Sequence, residues 1–420
     1  MSLFRLAKGP LIQISALVLS AGFLFLSQVL LARGLTPHEY GQIASLFSLA
    51  SVLGLLASFG FGQHILNLKR ESSQKIAKEI KSSFSFTILF SALCITAMII
   101  WWPTTEKNIS LIIPFSIFLT LQSINNTCFS IEQRNLKSYA TALNRIQIPL
   151  LRFIASTIAI AAGYKSFLLA LSILFLLAFI YSTWRFKEYL EFTPKSINIS
   201  TLKHSFYYGL ESLLSVFLLN ICSITLGFTK EYTVLANISS ALSFILAIYL
   251  IPQAVFVNHF HPQYIRINED DPLGLFKKIL NSSIISLAIG IIFSIALYAI
   301  SPYLIEVSYG KNYHTANSSL QILALSIPLR FFSIGIGCYI ATRDFIKYRA
   351  FAGTLACMAF FAIISIIPGT FGKIETYSLA FVSSQMTLAL IYTILAFIKR
   401  INLNTPELQT KKNYENSSTD

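Results

Sequence analysis

Residues 31–50 read LARGLTPHEYGQIASLFSLA. A long apolar run ends at Leu31, a short polar segment with Pro37 and Gly41 follows, and a second apolar run begins. Turn-forming residues between two runs that can each cross a bilayer predict two membrane helices joined by a compact connector. We expect Pro37 and Gly41 to fix the turn of that connector.

The same alternation continues along almost the whole chain. Hydrophobic residues fill 55% of the 420 positions, the mean hydropathy is +0.65, and only 12% of residues are charged. An all-α polytopic membrane protein is therefore predicted. One helix over 146–184 would be about twice as long as a bilayer core is thick, so Gly163-Tyr164-Lys165 is expected to divide it. The twelve predicted spans are 11–33, 42–62, 84–103, 109–131, 146–163, 166–184, 206–227, 232–256, 279–301, 317–341, 350–368 and 376–398.

Lysine and arginine are distributed unevenly between alternate polar segments. With the N-terminus in the cytoplasm, the cytoplasmic segments hold 24 of the 32 cations and the external segments hold 6. An excess of cations on one side is typical of cytoplasmic loops, so both termini are predicted to be cytoplasmic. The net charge of +14 then reflects topology and attraction to anionic lipid, and it needs no nucleic acid.

Two pairs of segments echo each other across the chain. GLTPHEYGQIA at 34–44 is echoed by GFTKEYTVLA at 227–236, and CFSIEQRNLKSYA at 128–140 by CYIATRDFIKYRA at 338–350. Both echoes are six predicted spans apart, which favours two six-helix halves in the same orientation, related by an axis along the membrane normal. Parallel repeats of this kind place a site between the halves in many transporters.

These echoes predict how the chain is divided. An N-terminal six-helix half is expected over 1–203 and a C-terminal six-helix half over 204–400. The polar segment 401–420 is expected to be a disordered cytoplasmic tail.

The polar segments offer little material for catalysis. They are too short for a soluble catalytic domain, no GxxxxGK[ST] motif occurs, and all four aspartates are predicted to be cytoplasmic or in the tail. The five cysteines lie in apolar runs without zinc-type spacing and are expected to be packing residues. We therefore expect no enzymatic activity, no cofactor and no metal site.

Charged residues inside the predicted spans are the candidate functional residues. Arg330 lies near the middle of its span just after Pro328, and Arg152 lies about two turns into another span. An arginine at a helix centre costs roughly 2.5–3.5 kcal/mol to insert, so it usually faces a cavity or a partner. Arg33 and Lys230, at the external ends of spans paired by the repeat, could line the mouth of a cationic path or be solvated flanking charges.

Glu211, about one turn inside its span, could bind a coupling cation or a proton, or pair with a lysine such as Lys203. Polar residues in the spans could contact sugar hydroxyls or bond between helices. They are Gln13, Gln28, Asn125, Asn126, Gln147 and Asn220.

The positive sign of most charges in the spans indicates the charge of the substrate. Guanidinium groups bind phosphate oxygens through a planar fork, so a cationic path fits an anion such as a lipid diphosphate carrying sugars. A cation exporter would be expected to place acids in the membrane, where Glu211 and Glu132 are the candidates.

Two motifs resemble bacterial O-antigen and polysaccharide flippases of the Wzx type, within the multidrug/oligosaccharidyl-lipid/polysaccharide exporter superfamily. Residues 31–41, LARGLTPHEYG, match their pattern L-A-R-x-L-x-P-x-x-Y-G. Residues 309–313, YGKNY, followed by LQILA at 320–324, resemble their segment before the tenth span. The length and the twelve predicted spans match over nearly the whole chain.

This resemblance implies a V-shaped fold of two lobes that moves undecaprenyl-diphosphate-linked oligosaccharide repeat units from the cytoplasmic to the periplasmic leaflet of the bacterial inner membrane. Arg152 and Arg330, with Arg33 and Lys230, would offset the charge of the substrate. A glycan polymerase and chain-length machinery would be candidate partners. The alternatives are a multidrug or cation antiporter of the same superfamily and a membrane glycan polymerase.

Overall fold

The computed structural model describes residues 3–67, 73–101, 109–135, 137–187, 199–260, 264, 272–341, 345–367 and 372–403. Within these ranges the chain is helical and has no β-strand. The α-helices are α1 Leu3–Gly34, α2 Pro37–Ser58, α3 Phe61–Asn67, α4 Ser73–Trp101, α5 Ile109–Arg134, α6 Ser138–Arg185, α7 Ile199–Phe228, α8 Tyr232–Pro252, α9 Pro272–Tyr309, α10 Ala316–Ala324, α11 Ser326–Ile340, α12 Ile346–Ile366 and α13 Lys373–Leu403. A π-helical segment, Gln253–Phe260, extends α8.

Ten of the described helices are long and apolar enough to cross a bilayer. The α10–α11 pair, bent by 40°, makes an eleventh span. Within α6 the backbone of Gly163 leaves the helical region, with φ 77° and ψ −173°, so α6 consists of two helices and the described spans number twelve. The predicted division at Gly163 is confirmed, because the left-handed φ there suits glycine.

The connector between α1 and α2 is compact, as predicted, but the expectation that Pro37 and Gly41 fix its turn is wrong. Helix α1 continues to Gly34 and α2 begins at Pro37, so Leu35 and Thr36 alone join them. Thr36 and Glu39 form a reciprocal capping box and Pro37 occupies the first turn of α2. The sequence T-P-x-E is a signal for a helix start, and it outweighs the turn tendency of proline here.

The helix that contains Pro328 breaks at Leu325, between α10 and α11. Pro328 therefore lies in the first turn of α11, where its missing N–H costs no helical hydrogen bond.

Each half is built from corresponding helix pairs. In the first half, α1 packs along the first part of α6, where the Ser27 and Ser156 hydroxyls lie 2.7 Å apart. In the second half, α7 packs against α12, and a Cβ on Gly353 would lie 3.0 Å from the Cβ of Leu214. The boundary at 203/204 stays a prediction, although α7 already begins at Ile199.

Two smaller expectations are also resolved. All five cysteines are free and buried, which confirms that they pack within the helices. Helix α13 continues to Leu403, into the segment predicted to be disordered, and 404–420 lie outside the described residues.

The halves meet where α2 packs against α7 and α8. A Cβ on Gly41 would clash with the carbonyl oxygen of Tyr232, and a Cβ on Gly227 would clash with Ser45 Oγ. Both contacts are at the end of the bundle that carries Leu35 and Thr36, which we call the α1–α2 end. The opposite end, where α2 meets α3, is called the α2–α3 end.

We predict that Gly41→Ala destabilises the protein by about 1–3 kcal/mol, because its methyl group would overlap the backbone of α8. The melting temperature of the purified protein in detergent would report the loss. Gly22→Ala on α1 is the matched control, since a Cβ there meets nothing within 4 Å. Equal melting temperatures for the two variants would contradict the close helix contact.

Candidate functional site

A cavity of about 100 Å³ lies between the two halves. Helices α1, α2 and α6 of the first half and α7 and α8 of the second half line it. Its lining residues are Gln28, Leu31, Tyr40, Ile43, Ala44, Phe47, Ser48, Ser51, Arg152, Leu219, Asn220, Ser223, Ser239, Leu242, Ser243 and Leu246. The lining combines hydroxyl and amide groups with apolar side chains and one cation.

Arg152 supplies that cation. Its guanidinium carbon lies 3.7 Å from the centroid of the Phe47 ring, and its Nε is buried without a hydrogen-bond partner. Within the described residues no carboxylate pairs with it. Stacking on an aromatic face partly compensates a desolvated guanidinium but leaves its N–H groups free to bind an anion. The structure therefore places Arg152 in the cavity with the chemistry of an anion site.

Three other polar atoms of the lining are buried and have no hydrogen-bond partner in the described part of the chain: Gln28 Oε1, Tyr40 Oη and Ser239 Oγ. Buried polar groups are normally paired, so unpaired groups that converge on one cavity are available to a polar ligand. Sequence reasoning missed Tyr40 and Ser239, because a tyrosine or serine in a span gives no signal of its own.

The structure divides the six candidate polar residues. Gln28 and Asn220 line the cavity. The other four bond between helices. Gln13 donates to Thr141 Oγ1 at 2.5 Å, Asn125 donates to Gln147 Oε1 at 3.2 Å, and Asn126 donates to Ser58 Oγ at 3.5 Å.

Arg330 does not line this cavity. It lies within the second half, with its guanidinium carbon 5.7 Å from the centroid of the Tyr249 ring. Glu211 forms an ion pair with Arg349 at 2.7 Å, and the side chain of Lys203 lies outside the described residues. The Glu211–Arg349 pair is not predictable from the sequence, because Arg349 lies in the polar segment just before the predicted span 350–368 and resembles a flanking charge.

Arg33 lies at the α1–α2 end and joins the two halves. Its Nε donates to the carbonyl oxygen of Ser308 at 2.7 Å, and its Nη2 donates to that of Val307. Beside it, Tyr313 Oη donates to the carbonyl oxygen of Ala32 at 3.3 Å. Lys230 is exposed in the turn between α7 and α8, where its φ is 59°.

The α2–α3 end also carries contacts between the halves. Thr201 on α7 donates to Glu79 Oε2 on α4 at 2.6 Å, and a Cβ on Gly209 would lie 2.7 Å from the carbonyl oxygen of Phe59. The two halves therefore touch on both sides of the cavity.

The second candidate acid is also paired. Glu132 forms an ion pair with Arg185 at 2.5 Å and accepts a hydrogen bond from Asn144. Among the described residues, no group of three His, Cys, Asp or Glu side chains could hold a metal ion. What the cavity presents is a cation and a set of hydrogen-bonding groups.

Comparison with known proteins gives two family matches. The model of a family described as polysaccharide biosynthesis protein matches residues 30–318, and that of a family described as Rft protein matches 264–420. No curated protein sequence matches at a significant level.

Solved structures confirm the predicted fold. The lipid II flippase MurJ in an inward closed conformation superposes with a TM-score of 0.74 at 16% identity, over 93% of this chain and 90% of that chain. An inward-facing multidrug resistance MATE family transporter of the MOP superfamily superposes with a TM-score of 0.58 at 14% identity, over 94% of this chain and 98% of that chain. A MOP superfamily transporter from Pyrococcus furiosus superposes with a TM-score of 0.56 at 14% identity, over 95% of this chain and 96% of that chain.

Replacing Arg33 tests the contact that it makes between the halves. We predict that Arg33→Ala increases labelling of a cysteine introduced at Ser239 by a small thiol reagent, because the side-chain hydrogen bonds to the carbonyls of Val307 and Ser308 are lost. The labelling rate is measured against the wild-type background, where all five cysteines are buried.

Lys165→Ala is the control, since Lys165 is an exposed cation beyond Gly163 in α6. A rate that rises several-fold in Arg33→Ala and stays constant in Lys165→Ala is expected. Equal rates in both variants would show that Arg33 does not hold the halves together.

Proposed function

Because the chain belongs to the family of polysaccharide biosynthesis proteins, we propose that it carries a lipid-linked oligosaccharide across a membrane, with the polar head passing between its two halves. The lipid tail would stay in the bilayer. A sugar diphosphate cannot cross hydrocarbon unaided, since each buried polar group without a partner is costly and an unpaired charge more so.

The observation that carries this proposal is the unpaired guanidinium of Arg152 in the cavity. A cation on an apolar wall between two halves costs free energy in the empty state, and an anionic ligand would recover that cost. Phosphate oxygens suit it, because a guanidinium presents parallel N–H donors to them. We assign the diphosphate of the carrier lipid to Arg152.

Neutral groups around Arg152 would take the sugar. Gln28, Asn220, Tyr40 and Ser239 offer donors and acceptors to hydroxyl groups. In this arrangement the charge of the head and the hydroxyls of the glycan are bound by separate residues of one cavity.

The cavity is smaller than the roughly 300–1,000 Å³ of sites that hold small molecules, so the conformation that admits the head must have its halves apart. We propose that they separate at one end at a time, with Arg33 part of the closure at the α1–α2 end. This gives Arg33 a gating role; Lys230 stays a candidate for the mouth of the path.

The proposal also includes the identity of the substrate, the direction of transport, the orientation of the chain and the partners that receive the product. The substrate would be an undecaprenyl-diphosphate-linked repeat unit of O-antigen or a related surface polysaccharide, moved from the cytoplasmic to the periplasmic leaflet of the inner membrane. Both chain termini would be cytoplasmic. A glycan polymerase and chain-length machinery would receive the product.

Deletion of the gene followed by complementation tests this function. We expect surface polymer to be lost on deletion, while single repeat units accumulate on their carrier in a protease-protected, cytoplasm-facing pool. Normal polymer with altered drug sensitivity would indicate a multidrug antiporter instead. Loss of polymer with repeat units accumulating on the external leaflet would indicate a polymerase.

Within that assay we predict that Arg152→Ala lowers polymer export at least tenfold and that Arg152→Lys falls between Ala and wild type. Lysine keeps the charge but lacks the planar fork. Surface polymer is quantified at equal protein abundance in the membrane.

Arg145→Ala is the matched control. Arg145 lies on the same helix with its guanidinium 5.1 Å from the centroid of the Phe129 ring, but it does not line the cavity. We expect the Arg145→Ala variant to retain most of the polymer export. Full export by the Arg152→Ala variant would contradict the assignment of the diphosphate to Arg152.

A further inference from the structure

A second group of charged residues lies in the C-terminal half, apart from the cavity. Glu211 on α7, Arg330 on α11 and Arg349 on α12 interact with one another, and Tyr249 and Tyr392 complete the group from α8 and α13. Five helices therefore converge on two guanidinium groups and one carboxylate. One positive charge is in excess.

The two arginines differ in their partners. Arg349 pairs with Glu211 at 2.7 Å, and its guanidinium carbon lies 5.8 Å from the centroid of the Tyr392 ring. Arg330 has no ion pair or side-chain hydrogen bond to any described residue. The Nε atoms of both arginines are buried and have no hydrogen-bond partner there.

The N-terminal half provides an internal comparison. It also buries a glutamate–arginine pair, Glu132 with Arg185, at 2.5 Å. There Asn144 fills a further lone pair of the carboxylate. The group in the C-terminal half instead adds a second arginine, which one carboxylate cannot neutralise.

From this arrangement we propose that Arg330 and Arg349 form a second anion site, which binds a phosphate group. When no phosphate is bound, the carboxylate of Glu211 takes its place. A phosphate group offers several oxygens and can accept from two guanidinium forks at once, which one carboxylate bonded to Arg349 does not do. The entering phosphate would displace Glu211 from Arg349 and give Arg330 its missing partner.

The position of the group relates it to the cavity. Leu246 lines the cavity, and Tyr249, one turn further along α8 toward the α2–α3 end, lies against Arg330. On α7, Ser215 donates to Glu211 at 3.3 Å, one turn before the cavity residue Leu219. A phosphate bound here would lie on the α2–α3 side of the Arg152 cavity.

The test measures anion binding to the full-length protein, so it does not depend on what the protein transports. All variants carry Arg152→Gln, which removes the cavity guanidinium and separates a failure here from a failure of the proposed function. The melting temperature of the protein in detergent is measured at increasing concentrations of sodium pyrophosphate. Sodium chloride at equal ionic strength is the reference.

We expect Glu211→Gln to bind pyrophosphate at least tenfold more tightly than the parent, because the competing carboxylate is removed. Adding Arg330→Gln should abolish that binding. Glu132→Gln is the matched control, and it should bind pyrophosphate no more tightly than the parent. If Glu211→Gln does not fold, Glu211→Asp keeps the charge, weakens the pair by one methylene, and should also bind more tightly.

Farnesyl diphosphate in a parallel series identifies the source of the phosphate. If farnesyl diphosphate binds more tightly than pyrophosphate and Arg330→Gln abolishes that binding, the site belongs to a lipid diphosphate. If the two ligands bind with equal affinity, the site belongs to a free phosphate anion. Equal pyrophosphate affinity in the parent and the Glu211 variant, or binding that survives Arg330→Gln, overturns the proposal.

Discussion

The close contact of α2 with α7 and α8 is the constraint on which the rest of the structure depends. It is possible only because Gly41 has no Cβ beside the Tyr232 carbonyl and Gly227 has none beside Ser45. In a bilayer, apolar burial between helices gives little driving force, so close packing of small residues must hold the halves together. The same helices line the cavity, so a contact that joins the halves also sets its width.

Around this contact, the fate of each intramembrane cation follows from its neighbours. Arg185 and Arg349 face carboxylates and are neutralised within the fold. Arg152 faces an aromatic ring and Arg330 lies against another, and neither forms an ion pair with a described residue. Buried guanidinium N–H groups that the described residues leave without a partner mark places where an anion can enter. That distinction depends on contacts between helices far apart in the chain.

The fold was largely predictable from the sequence, because hydropathy and the two echoes reflect the bilayer and the repeat directly. The spans, the break at Gly163 and the buried cysteines are predicted from the sequence, but the short helix α3 is not. The turn of the α1–α2 connector was not predicted either, since the capping box at Thr36 was overlooked in favour of the turn tendencies of Pro37 and Gly41. Gly41 proved to be a contact residue, which only the position of α8 could reveal.

The candidate site was harder to predict for a physical reason. A charge in a span reports that a partner or a cavity is near, but not which of the two. Arg152 and Arg330 looked alike in the sequence, yet one lines the interface between the halves and the other joins Glu211 and Arg349 within one half. In the proposed function, the head group would carry two phosphates and several sugars, and it would meet more than one cation along its path. Two unneutralised arginines on successive levels of the bundle would let it pass without binding so tightly to either that release becomes slow.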